Sequence, residues 1–383
     1  MEVVNPEFDD IRPYNDDEVA PIVQHLFETS KMRESMEIYF PNIEWESFRT
    51  QSLSLRNVHD LQRTVIMYLA SELIKRSSTG MAGSGFENIS KDTPYLYISN
   101  HRDIVLDVSI LCLLLVDNDL DTPEIAIGDN LMLAPWIEDL AKLNKGFIVN
   151  RGVSGRQMFE VSRHLSRYIH FVINNKKDSI WIAQREGRAK DSNDRTQDSL
   201  LKMLSMGSDK NFLDSIRELN IAPISMSYEY DPCDYLKAKE LQQKKDNPTF
   251  KKSRLDDLTS METGLTGFKG NIRLRIGKPI NSKLEKLDKN LNRNELTPQI
   301  AQIIDNEIFL NYHFYPANYI AYDRLWGKDF FKSKYTFDDE KTFDTYLQKQ
   351  LEKIDLPDKD IPFLTEKILE MYANPVKNQL SVK

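Results

Sequence analysis

The spacing of apolar positions changes partway along the chain. Up to about residue 80 they recur at helical intervals, most clearly over His59–Arg76, where Leu61, Val65, Leu69 and Leu73 stand four apart. Lys75 and Arg76 close that stretch, and cations there complement the helix dipole. Such a stripe can lie on a membrane surface, but a small helical bundle is the expectation. Residues Ser77–Asn88 (SSTGMAGSGFEN) are rich in glycine and serine and predict a linker loop. Beyond them, short apolar runs alternate with helical patterns: Tyr95–Ile98, Glu124–Ile127, Gly146–Asn150, Ser179–Ala183, Ile221–Tyr228 and Asn271–Ile276. Between them, Asp107–Val116, Leu131–Leu143, Ser154–Asn174 and Gln197–Met206 are expected to be helices. This alternation predicts an α/β domain with a central mixed sheet flanked by helices, preceded by a helical region and followed by C-terminal helices. The expected boundaries are 1–80, 84–285 and 286–383. Pro223 predicts an edge or bulged position for its strand, and the charged stretch 232–270 a helical excursion or exposed loop.

Composition narrows the function classes. At 383 residues, with 40% hydrophobic and 29% charged positions, the chain has ample material for a core. Its net charge of −8 argues against a nucleic-acid partner, which needs clustered cationic surface. Cys112 and Cys233 are far apart and supply neither a metal spacing nor a disulfide framework, so a reducing cytoplasm is the expected compartment. The acidic N-terminus is the opposite of a secretory signal, and no run approaches the roughly 18–20 apolar residues of a membrane span.

Candidate chemistry concentrates at strand ends. The stretch YLYISNHRDIVLDVSILCLLLV (Tyr95–Val116) delivers His101 from a strand into a polar loop, with Asp103 and Asp107 close behind. A histidine acting as base needs a carboxylate to fix its tautomer and stabilise its charged form. His164 and His170 lie on a helical pattern beside Arg163 and Arg167, where packing or solvation is the expected role. KGFIVNRG places Arg151 at a strand end, where its guanidinium can grip a phosphate. IWIAQREGRAKD carries Arg185, Glu186, Gly187, Arg188 and Lys190 out of a buried strand, a set suited to an anionic substrate. No metal site is expected: Asp117, Asp119 and Asp121 begin like a calcium loop but lack glycine at the sixth position and glutamate at the twelfth. Residues 152–156, GVSGR, come near the nucleophile-elbow pattern, which keeps a hydrolase using Ser154 and His101 as an alternative.

In order, NHRDIVLD, GFIVNR, QREGRAK and IAPISMSY resemble the four blocks of the glycerolipid acyltransferase superfamily, the glycerol-3-phosphate and lysophosphatidate acyltransferases. The likeness spans roughly residues 94–230, and the helical region before it resembles that of the soluble plastid-type enzymes. It implies His101 as general base with an aspartate partner. The family aspartate stands five residues after the histidine, where this chain has Leu106, so Asp107 and Asp103 both compete for the role. It also implies a phosphate site among Arg151, Arg185, Arg188 and Lys190, supported by Glu186 and Gly187. The implied donor is an acyl-acyl carrier protein or acyl-coenzyme A, with no further cofactor. The implied acceptor is glycerol 3-phosphate or a lysophospholipid, with a lyso-amino-acid lipid or a non-catalytic lipid-binding role as alternatives. A lipid product without a span implies peripheral attachment, at the cytoplasmic face.

Overall fold

The computed structural model describes residues 4–152 and 154–382. The N-terminal bundle holds α1 (Asp16–Glu28), α2 (Ser30–Tyr39) and α3 (Trp45–Ser54). A continuous helical run follows, made of α4 (Val58–Leu61), a π-helical turn at Gln62–Ile66 and α5 (Met67–Ser77). The α/β layer then runs β1 (Gly80–Ser84), β2 (Leu96–Ser99), α6 (Leu106–Val116), β3 (Glu124–Gly128), α7 (Pro135–Leu143) and β4 (Gly146–Val149). It continues with α8 (Arg156–Phe171), β5 (Ile180–Ala183), α9 (Asp198–Leu204), α10 (Phe212–Arg217) and β6 (Ala222–Tyr228). After α11 (Asp234–Asp246) and α12 (Arg254–Thr266) come β7 (Asn271–Ile276) and α13 (Asn281–Leu284). The chain ends with α14 (Arg293–Leu310), α15 (Pro316–Tyr322), α16 (Phe337–Lys353) and α17 (Ile361–Val382).

The seven strands form one mixed sheet in the order β1-β7-β6-β2-β5-β3-β4, with β6 and β7 antiparallel and every other neighbouring pair parallel. Alternate side chains feed two cores. Leu96, Ile98, Phe147, Ile180 and Ile182 pack against α8, α9, α10 and α14. Tyr97, Ile125, Trp181, Ile224 and Met226 pack on the other face against α6 and α5. Helix α6 lies within that second core and is apolar around most of its circumference, as a helix covered on all sides must be. Five strands, β6, β2, β5, β3 and β4, end at one edge of the sheet, where open α/β sheets hold their ligands.

Two expectations change, and one open alternative closes. Residues 80–84 are a strand, not linker: β1 pairs with β7 from Gly80↔Asn271 to Ser84↔Arg275. An edge strand held by backbone hydrogen bonds needs no alternation of large apolar side chains, so none marks it. Strand β6 is interior, despite Pro223. The Pro223 carbonyl accepts from Gly277 N (2.7 Å) on the β7 side, and the ring nitrogen faces the same side one residue beyond the last β6–β7 pair, Ile224↔Ile276. The missing donor therefore costs only its half of the rung opposite Gly277, at the end of the β6–β7 ladder. For residues 232–270 the helical alternative holds, with α11 and α12, and Lys237 on α11 is buried in an ion pair with Asp231.

The predicted stripe on the first long helix is joined by a second apolar face. Leu61 and Val65 face the N-terminal bundle. Leu69, beyond the π turn, still packs on that bundle, while Met67 and Ile74 on another face of the helix meet the seven-stranded sheet. Helix α14, assigned from sequence to the C-terminal extension, supplies Leu296, Ile300, Ile304 and Ile308 to the core beneath the sheet.

The C-terminal helices enclose a buried carboxylate. Asp234 on α11 accepts from Tyr346 Oη (2.7 Å), Tyr372 Oη (2.8 Å) and Gln350 Nε2 (2.5 Å). Burial and neighbouring Asp231 push it up to about 7, against those hydrogen bonds. Since its folded value lies above its unfolded one, the native state holds the extra proton between about pH 4 and 7. Stability drawn from this group therefore falls as pH rises through that window. Urea midpoints of wild type and Asp234→Asn are expected to diverge with rising pH up to about 7, to the wild type's disadvantage, and to run parallel above it.

Candidate active site

His101 stands at the carboxyl end of β2, its side chain 13% exposed. The preceding Asn100 locks this exit to β6: its Nδ2 donates to Met226 O (2.9 Å) and its Oδ1 accepts from Met226 N (2.8 Å). His101 Nδ1 lies 2.9 Å from Asp107 Oδ2, at the first turn of α6. The ionised carboxylate can only accept, so Nδ1 carries the proton and Nε2 is left as the basic nitrogen. Asp107 is buried and fully engaged. Its Oδ2 also accepts from Arg102 N (2.6 Å), and its Oδ1 from Tyr228 Oη (2.8 Å) on β6. The helix dipole adds to these bonds in favouring negative charge at that position. The imidazole also meets the edge of Trp181, with ring centroids 5.7 Å apart, and that indole donates to Ser99 Oγ (3.0 Å).

Asp103 has a different task. Its Oδ1 accepts from Val105 N (2.9 Å) and Leu106 N (2.8 Å), closing the turn that starts α6. Its Oδ2 lies against Gly264 of α12, where a Cβ would come within 2.2 Å of it. Burial, reinforced by Asp107, pushes this carboxyl up. Of the two aspartates, only Asp107 is within hydrogen-bonding distance of the histidine.

Arg102 points away and ties two loops together. Its Nη1 and Nη2 reach Asp194 Oδ1 (3.0 Å) and Oδ2 (2.6 Å), and Tyr312 Oη also donates to Asp194 (2.7 Å). Asp194 lies on the loop that follows β5, so this buried pair holds that loop against the His101 loop.

The cations separate into two groups. Lys190 pairs with Glu240 on α11 (2.8 Å), and burial pushes its ammonium down to about 8 against that pairing. Arg188 is buried with Nη1 lacking a partner, and Arg185 Nε is likewise unpartnered, among the described residues. Burial costs Arg188, yet Cys233, Asp231 and Asp103 favour its charge. Gly187 between them has φ +65°, a turn where a Cβ would be strained although it would meet no neighbour. Glu186 is exposed, and its backbone N donates to Gln197 Oε1 (2.8 Å). Arg151, at the exposed end of β4, lays its guanidinium against Gly128 at the end of β3, where a Cβ would sit 2.7 Å from it. His101, the Arg185–Arg188 turn and the Arg151 guanidinium thus follow one another along the carboxyl edge over β2, β5 and β3.

Ser154 is not brought to the histidine. It is exposed beyond β4, three strands from β2 or about 14 Å at normal sheet spacing. Val153 of the same motif lies outside the described residues. No group of three or more His, Cys, Asp or Glu side chains among the described residues could hold a metal ion. His164 pairs with Asp10 (3.0 Å), and His170 with Glu218 (2.8 Å).

Asn100, Arg102, Trp181, Asp194 and Tyr228 are contributions that motif reading missed. Tyr228 was within reach, as the terminal residue of a block already singled out. Asp194 was not, because nothing in the local sequence says that its partner lies on the β2 loop.

Residues 82–227 match a family model described as Acyltransferase. Among solved structures, the chain is similar to the 1-acyl-sn-glycerophosphate (LPA) acyltransferase PlsC from Thermotoga maritima, at 13% identity and a TM-score of 0.35. That match covers 74% of this chain and 93% of the other. No curated protein matches.

Proposed function

We propose that this protein, whose residues 82–227 match an acyltransferase family model, moves a fatty acyl group from a thioester to the hydroxyl of glycerol 3-phosphate or a lysophospholipid. The observation carrying this reading is the His101–Asp107 hydrogen bond at the carboxyl edge of the sheet. His101 Nε2 takes the proton of the acceptor hydroxyl as its oxygen attacks the thioester carbonyl carbon. Asp107 stabilises the imidazolium that forms. Collapse of the tetrahedral intermediate breaks the carbon–sulfur bond, and the imidazolium returns its proton to the departing thiolate. No covalent enzyme intermediate arises.

Arg185 and Arg188, with unpartnered N–H groups on the neighbouring loop, suit an acceptor bearing phosphate. Arg151 extends that surface from β4. Holding the phosphate positions the hydroxyl beside the base, a proximity effect. Lys190 is committed to Glu240 and Asp103 to its turn, so neither joins the first contacts with substrate in this reading. The donor is an acyl-acyl carrier protein or acyl-coenzyme A, and attachment to the membrane is peripheral, from the cytoplasmic side.

Acyl transfer measured with glycerol 3-phosphate, lysophosphatidate and a lyso-amino-acid lipid tests the acceptor. The phosphorylated acceptors are expected to be preferred, and a preference for the phosphate-free lipid would remove the arginine assignment. In the same assay, Asp107→Asn is expected to lower kcat by about 10²-fold or more, and Asp103→Asn by far less at permissive temperature. The reverse ranking would make Asp103 the partner.

A further inference from the structure

We propose that the first turn of α8, with the arginines around it, is the surface by which this protein docks on an anionic lipid bilayer. All five residues from Arg156 to Glu160 are exposed, among them Met158 (50%) and Phe159 (55%). Two large apolar side chains on a helical turn without protein cover are costly in water and suited to the acyl–headgroup boundary. A cleft of about 260 Å³ opens beside them, walled by apolar Ile11, Ile148, Val161 and Leu165 and by polar Asp10, Asn150, Glu160 and His164.

Charge selects the occupant. Arg156 and Arg163 are exposed and have no ion-pair partner among the described residues, and exposed Arg151 precedes them at the end of β4. The neighbouring acids are mostly occupied: Asp10 pairs with His164, and Glu7 with Arg167. Glu160 and Asp129, whose Oδ1 accepts from Arg151 N (3.2 Å), stand among the three arginines, which outnumber them in a chain whose net charge is −8. Two other groups of exposed apolar side chains lack this surplus. Near Phe330 and Phe337, Lys332 pairs with Glu340. Near Ile38 and Leu255, Arg33 pairs with Glu37 and Lys252 with Asp257. The α8 turn also lies at the carboxyl edge of the sheet, on the side where His101 stands, so docking there would bring that edge toward the lipid.

The inference rests on the peripheral attachment proposed above for its purpose. Flotation with vesicles needs no turnover, so docking and catalysis can fail separately. Vesicles of equal parts phosphatidylglycerol and phosphatidylcholine are expected to carry the full-length protein, less so as salt rises, and phosphatidylcholine alone far less. Met158→Glu with Phe159→Glu should cut the bound fraction about tenfold or more. Arg156→Gln with Arg163→Gln should abolish the preference for phosphatidylglycerol. Phe330→Glu with Phe337→Glu should bind like wild type. The substituted side chains are solvent-exposed, so an unchanged unfolding midpoint is expected for each variant. Failure of the wild type to float, or wild-type binding by the Met158/Phe159 variant, overturns the proposal.

Discussion

His101→Ala is expected to lower kcat for acyl transfer by roughly 10²- to 10⁴-fold while leaving the thermal midpoint close to wild type. The two outcomes separate because of how the imidazole is held. It sits on a loop with part of its side chain in solvent, and its hydrogen bond runs to an aspartate that keeps two further donors, Arg102 N and Tyr228 Oη. Removing the ring leaves Asp107 hydrogen-bonded, so little folding energy is lost. It leaves the acceptor hydroxyl without a base, and at neutral pH an alkyl hydroxyl is a weak nucleophile. Single-turnover transfer from an acyl thioester, with calorimetry on the same sample, reads both quantities. A variant keeping more than about a tenth of the wild-type rate would return His101 to a packing role.

Asp194→Ala should be the most destabilising single change near the site, costing about 3–5 kcal/mol. It strips a bidentate partner from Arg102, itself 7% exposed, and an acceptor from Tyr312 Oη. A guanidinium left buried without its carboxylate carries the full cost of desolvation. Replacing both partners with apolar residues of similar size, Arg102→Met with Asp194→Leu, is expected to recover much of that loss, because no buried charge remains. Urea unfolding of the single and double variants measures the difference. Activity should follow a different course. The backbone N–H of Arg102 bonds Asp107, so slack in this loop reaches the His101–Asp107 pair and kcat should stay below wild type even where stability returns.

What could be read from the chain follows what is local. Six of the seven strands are legible because each is a short apolar run bounded by polar or turn residues. β1 escaped because its ladder is made by two glycines, an alanine, a serine and the single large apolar residue Met81, which carry no alternation. Pro223 misled for a related reason: a proline at the end of a ladder forfeits only one bond, and where the β6–β7 ladder ends is set by β7, far along the chain. At the site, His101 was identifiable from its place between an apolar strand and an apolar helix. Its partner was not, since Asp103 and Asp107 differ only in how the turn closes, and that turn uses Asp103 for its own backbone. Arg188 and Lys190, two residues apart and alike in charge, were likewise inseparable until Glu240 on α11 was seen to occupy the lysine.

The helical run through the π turn at Gln62–Ile66 has a consequence for cooperativity. Leu61 and Val65 belong to the N-terminal bundle, and Met67 and Ile74, on the same unbroken helix, complete the apolar layer over α6 and the sheet. Neither core is whole without this helix, so a cut at the glycine-serine stretch near residue 80 would divide the sequence neatly and the hydrophobic layer badly. The bundle and the sheet are thereby joined as one melting unit through two faces of a single helix, and amide protection along residues 58–77 would report on both.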